Sequence, residues 1–145
     1  MRRNMQEKTT SELEKELSSC ADLTTFLKEN EEVFKIQSVS DSLRQILEEK
    51  ALNKSAVIKK SGLNDIYAYQ IFSGARIPSR DKLLCLCFGM ELDAEETQWL
   101  LKSCGYTELY AKSKRDSVIL HALYHKKDIL ELNEELFENK EKLIN

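Results

Sequence analysis

The stretch that decides the fold is SGLNDIYAYQIFSGARIPSRDKLL, residues 61–84. It holds two helix stops, two helix starts and the chain's single proline. Gly62 suits the left-handed turn that ends one helix. Asn64 suits the N-cap of the next, DIYAYQIFS, which Gly74 closes. Pro78 biases Ile77 towards extended backbone, so ARIP is a connector. Ser79 then opens a further helix, RDKLLCLCFGM. Steps of about 100° along the middle helix, with Ala68 and Ile71 inward, turn Ile66, Tyr69, Gln70 and Ser73 outward. Asp65 and Tyr67 fall on its flanks.

The same signals repeat to either side. Asn53 caps KSAVIKKSG, with Val57 and Ile58 inward. Before it, SDSLRQILEEKAL sets Leu43, Ile46 and Leu47 on one face. After it, Asp93 opens AEETQWLLKSC, whose acidic first turn suits the helix dipole and whose Trp99 is expected in the core. Five helices thus fall between 41 and 104. At the N-terminal side, Thr9-x-x-Glu12 fits a capping box, and Leu13 and Leu17 share a face. ADLTTFLKENEEVF spaces Leu23, Phe26, Leu27 and Phe34 as a second helix, and KIQSVSD reads as a link. At the C-terminal side, KSKRDSVILHALYHK is one helix and DILELNEELFENKEKLI another. In the latter, Ile129, Leu136 and Leu143 recur every seven residues, as do Leu130, Phe137 and Ile144. That wide stripe packs on the chain's own core or on a second subunit. The expectation is an all-α protein in three parts: an N-terminal helical extension at 1–40, a five-helix domain at 41–104, and a C-terminal helical pair at 105–145.

Composition narrows the function. One Pro and four Gly in 145 residues, with 41% hydrophobic and 32% charged residues, fit an almost wholly helical chain. No apolar run reaches membrane-spanning length, and MRRNMQEKTT lacks the apolar stretch of a secretory signal, so a cytoplasmic location is expected. Cys20, Cys85, Cys87 and Cys104 form no C-x-x-C pair, which points to buried thiols. His121 and His125 stand four apart without an acidic third ligand at suitable spacing, and a surface or interface pair is expected rather than a metal site. There is no Gly-rich phosphate loop, nucleophile elbow or metalloprotease motif. The chain therefore reads as a non-enzyme without metal or cofactor.

Two short helices joined by a tight turn at 54–73, followed by SGARIPSRDKLLCL, carry a more specific likeness. Residues 41–104 resemble the lambda-repressor-like, XRE-type helix-turn-helix family. Gly62 matches the family's turn glycine, GARIPS its Gly-Lys-Arg-x-Pro-Ser, and KLLCLC its Leu-rich fourth helix. EEKALN departs from the Lys-Gly-Leu-Ser that usually ends the first helix. The resemblance implies double-stranded DNA as partner and a sequence-specific transcriptional regulator, with DIYAYQIFS entering the major groove. It places Lys54, Arg76 and Arg80 on the phosphate backbone, with Asn64 and Tyr67 beside them. Gln70 then suits adenine, Ile66 a thymine methyl, and Asp65 a cytosine amine, with Tyr69 and Ser73 completing the groove-facing set.

Charge agrees in sign. The whole chain carries −3. Residues 41–90 hold eight basic side chains (44, 50, 54, 59, 60, 76, 80, 82) and five acidic ones (41, 48, 49, 65, 81), a net of +3 against −6 elsewhere. So small an excess implies weak binding by one subunit, strengthened in a homodimer on a two-part site. The alternative is a protein-interaction module on the same fold (an adaptor, antitoxin or inhibitor), with Ile66, Tyr67, Tyr69 and Phe72 as its contact face. A ligand-sensing regulator is a third reading.

Overall fold

The structure is a computed structural model and describes residues 8–31 and 38–145. Among the described residues it is all helical, with nine α-helices and no strand. None of these helices is long and apolar enough to cross a membrane. The chain divides into two compact units, Met1–Ile36 and Gln37–Asn145.

The first unit holds α1 (Thr10–Ser19) and α2 (Leu23–Glu29). Thr9 caps α1 in a full capping box with Glu12, as its spacing predicts. Lys8 reaches both Glu16 and the Asn30 side chain, at 2.7 Å each, tying the ends of this helical pair together. Helix α2 stops at Asn30, shorter than its apolar spacing predicts. Phe34 lies outside the described residues.

The second unit holds α3 (Val39–Glu49), α4 (Lys54–Ser61), α5 (Asp65–Ser73), α6 (Arg80–Gly89), α7 (Ala94–Ser103), α8 (Lys114–Tyr124) and α9 (Ile129–Glu138). Ser38 caps α3, so the end of KIQSVSD belongs to this helix rather than to a link. Helix α6 is the hub. Every residue from Leu83 to Met90 is buried, as a helix enclosed by neighbours requires. It packs on α4, α7 and α9, while α3 packs on α5 and α8 on α9. The 105–145 segment thus lies in the same unit as the five helices before it. Burial pushes the Cys85 and Cys87 thiols up to about 12, which keeps them protonated core side chains.

Two expectations fail here. DILELNEELFENKEKLI is not one helix: α9 ends at Glu138. Lys140 takes a left-handed φ of 60°, and the N–H groups of Lys140 and Glu141 bond back to the carbonyls of Phe137 and Leu136. The chain then folds back. Asn133 brackets Ile144, accepting from its N–H at 2.9 Å and donating to its carbonyl at 3.0 Å, and Ile144 is fully buried. The seven-residue stripe is thereby broken, with Leu136 in the core and Phe137 and Leu130 about three-quarters exposed. Trp99 is only half-buried, and Leu100 and Leu101 fill the core in its place.

Candidate functional site

Helices α4 and α5 meet in a tight turn held by caps and by the Ser61 side chain. The Asn53 side chain accepts the Ala56 N–H at 3.0 Å and starts α4. Gly62 closes α4 at φ 73°, where a side chain would be strained. The buried Ser61 hydroxyl donates to the Ile58 carbonyl at 2.6 Å and accepts the Leu63 N–H at 3.2 Å. Asn64 then accepts the Tyr67 N–H at 3.2 Å and starts α5. These bonds hold α5 at a defined angle to α4.

Helix α5 buries Ala68, Ile71 and Phe72 and turns the opposite face to solvent. Asp65, Ile66, Tyr69 and Ser73 are exposed; Tyr67 and Gln70 are half-buried. The loop after α5 folds back on this face. The Arg76 Nε donates to Gln70 Oε1 at 2.9 Å, and the Arg76 N–H donates to the Gln70 carbonyl at 3.2 Å. The Arg76 guanidinium also lies 5.0 Å from the centre of the Tyr67 ring. Lys82, in the first turn of α6, sits 5.3 Å from the same ring. Lys54, at the start of α4, sits 5.4 Å from the Phe72 ring. Cations within about 6 Å of a ring are attracted by its π face, so Tyr67 holds two positive charges beside the exposed face of α5.

These contacts sort the residues picked from sequence. Gln70, Tyr67 and Arg76 come together as one hydrogen-bonded and stacked group. Ile66, Tyr69 and Asp65 share the open face with it. Asn64 has its side-chain carbonyl engaged as the N-cap. The Ser73 hydroxyl donates to the Gln70 carbonyl and accepts the Ala75 N–H, so it closes α5 rather than presenting a free group. Phe72, placed by sequence on a contact face, is 1% exposed and belongs to the core.

Arg80 is the clearest correction. Its guanidinium points into the protein: Nε donates to the Thr107 carbonyl, Nη2 to the Glu108 carbonyl, and both Nη atoms to the Asp116 carboxylate at 3.0–3.2 Å. Four of its five N–H donors are satisfied internally, which removes it from any surface phosphate grip. Burial raises the Asp116 carboxyl, but hydrogen bonds from Arg80 and from the Tyr110 N–H, with the Arg80 charge, outweigh this and hold it below the usual carboxylate range. Asp81 beside it is taken bidentately by Arg115 at 3.0 Å.

Ion pairs also redistribute the segment's charge. Lys50 pairs with Glu96, Lys60 with Glu91 and Arg80 with Asp116, all acids from outside 41–90. Among the described residues Lys54, Lys59, Arg76 and Lys82 have no ion pair. Three of these, Lys54, Arg76 and Lys82, lie against the Phe72 and Tyr67 rings of α5, and α5 itself carries one carboxylate, the exposed Asp65. Sequence reasoning missed Lys82 and Ile77, the latter 82% exposed beside α5. The Ser79 cap was the available signal for Lys82, because it puts that residue in the first turn of α6, next to the loop.

Comparison with protein-family models, with curated proteins and with solved structures gives no match.

Proposed function

We propose that α3–α7 form a lambda-repressor-like domain, that α4 and α5 are its helix-turn-helix, and that the protein is a sequence-specific DNA-binding regulator acting as a homodimer. The observation that carries this reading is the Gln70–Arg76–Tyr67–Lys82 group on the exposed face of α5. A groove-reading helix needs polar groups aimed outward and positive charge at its margins. Gln70 supplies an amide whose orientation Arg76 fixes, and Oε1 keeps a second lone pair for an adenine amine while Nε2 donates to N7. Arg76, Lys82 and Lys54 supply the margin of charge. Three cations give few phosphate contacts, which is why a dimer on two half-sites belongs to the proposal.

Fluorescence anisotropy against a pool of duplexes, titrated in salt, tests it. Saturable binding that prefers some duplexes and falls steeply with salt is the expected result. Gln70→Ala is expected to relax base preference and leave the salt slope alone. Lys54→Ala is expected to weaken binding to every duplex and lower the slope by about one. A slope unchanged in Lys54→Ala would show the docking to be wrong. The competing reading, a protein-contact face, has its own support in the exposure of Ile66 (71%), Ile77 (82%) and Tyr69 (46%). Absence of DNA binding even at low salt would decide for it.

A further inference from the structure

Arg76 is pinned at Nε and open at both Nη atoms. Nε donates to Gln70 Oε1 at 2.9 Å. A guanidinium only donates, so the amide must turn its oxygen to Arg76, and this sets Gln70 Nε2 on the other side. The guanidinium lies 5.0 Å from the centre of the Tyr67 ring, which supports it from one face. Arg80 and Arg115 spend their Nη donors on carboxylates and carbonyls. Among the described residues the Nη atoms of Arg76 bond to nothing, and Arg76 is exposed and has no ion pair.

The backbone is closed at the same place. Gly74 ends α5 at a left-handed φ of 87°. The Gln70 carbonyl accepts the Arg76 N–H at 3.2 Å and the Ser73 hydroxyl at 3.0 Å, and Ser73 Oγ accepts the Ala75 N–H at 3.3 Å. Gln70 and Arg76 are thus joined twice, through backbone and through side chains, and little ordering cost remains when they meet a partner. The tie also makes the guanidinium follow the amide. Its free Nη donors stand a few ångströms from Gln70, on the order of the roughly 3.4 Å between neighbouring bases along a strand.

We infer that Gln70 and Arg76 read two neighbouring base pairs, Gln70 an adenine and Arg76 a guanine. Resting on the DNA-binding reading above, this gives Arg76 a role beyond the margin of charge: it selects sequence. The donor pattern names the base. Two free Nη groups aimed side by side need two adjacent acceptors. In the major groove guanine offers them, at O6 and N7. Adenine and cytosine each present an amine that would face the N–H groups, and thymine sets a methyl beside its one acceptor. A lysine in this position would supply the charge without the fork.

Selection by the full chain from duplexes with a randomised core, followed by anisotropy on the selected duplex, tests this assignment. The selected half-site is expected to hold an adenine next to a guanine. Replacing that guanine by 7-deazaguanine, which lacks the N7 acceptor, is expected to weaken binding about fivefold. Inosine, which keeps O6 and N7, is expected to change it by less than about twofold. Arg76→Met is expected to bind the guanine and 7-deazaguanine duplexes alike, and to lose part of the adenine preference because the amide is no longer held. Arg76→Lys is expected to keep the parent's salt slope and yet lose the 7-deazaguanine penalty. A full penalty retained in Arg76→Met, or a slope lowered by about one with base preference intact, would make Arg76 a phosphate contact and overturn the assignment. So would a selected site without adjacent adenine and guanine. Each of these results leaves the protein a DNA reader. Failure of the parent to bind any duplex at low salt would instead remove that reading, and the assignment with it.

Discussion

Gly89→Ala is expected to destabilise the second unit by about 3 kcal/mol and to lower its melting temperature by roughly 10 °C. Gly89 lies where α6 crosses α4. A Cβ there would stand 2.4 Å from the Val57 carbonyl oxygen, 3.1 Å from the Ser61 nitrogen and 3.2 Å from the Ser61 Cβ. The first two are backbone atoms, which no rotamer change can move aside. Helix α4 would have to shift as a body, and the hydrogen-bonded turn at Ser61 and Gly62 with it. The sign makes the test sharp. Within a helix, Ala is favoured over Gly by about 1 kcal/mol. Slack packing between α4 and α6 would therefore let the substitution stabilise the protein. Chemical denaturation of the variant distinguishes these outcomes directly. Loss of stability means that the missing side chain is what lets α6 approach α4. The same variant is expected to weaken DNA binding, because α4 and its turn set the angle of α5.

What was legible in the sequence follows from how local each signal is. An N-cap is recognised by one side chain and the N–H three residues on, and Asn53, Asn64, Ser79 and Asp93 all act as their positions predict. Helix ends closed by glycine, at Gly62 and Gly74, were equally plain. Four other turns use the same left-handed geometry without glycine, at Ala51, Glu91, Lys126 and Lys140. Nothing in those side chains announces it, and so α9 was expected to run on to its apolar residues at 143 and 144. The inward and outward faces of α5 were readable from helical period alone for Ala68, Ile71, Ile66 and Tyr69. Phe72 was misplaced because it stands at the border of the two faces, where period decides little and the packing of its neighbours decides burial. Arg80 was misplaced for a further reason. Its partner Asp116 lies 36 residues away, and no local pattern reports an ion pair across that separation.

Arg80→Ala is expected to cost about 3 kcal/mol near neutral pH, since it strands the Asp116 carboxylate and two loop carbonyls in a part-buried site. Arg80→Lys is expected to recover little of this, because one ammonium cannot replace the planar fork that reaches Asp116, Thr107 and Glu108 together. The pH dependence has a definite sign. Asp116 is held below the usual carboxylate range in the folded state. Its stabilisation is therefore complete above the unfolded value of about 3.9 and disappears as pH falls through the lower folded value. The stability gap between the parent protein and Arg80→Ala should accordingly stay constant from neutral pH down to about pH 5 and close in stronger acid. A gap that closes near pH 7 instead would point to a different titrating group. The DNA measurement separates this role from the one that its position in the loop suggests. At a temperature where Arg80→Ala remains folded, its salt slope should match the parent's, while Lys54→Ala lowers the slope by about one. A matching drop in Arg80→Ala would mean that the guanidinium leaves Asp116 for a phosphate in the complex. Retention of the slope, together with the lost stability, would make Arg80 the post that fixes the 107–116 segment against α6, and would leave Arg76 as the cation of that loop available to DNA.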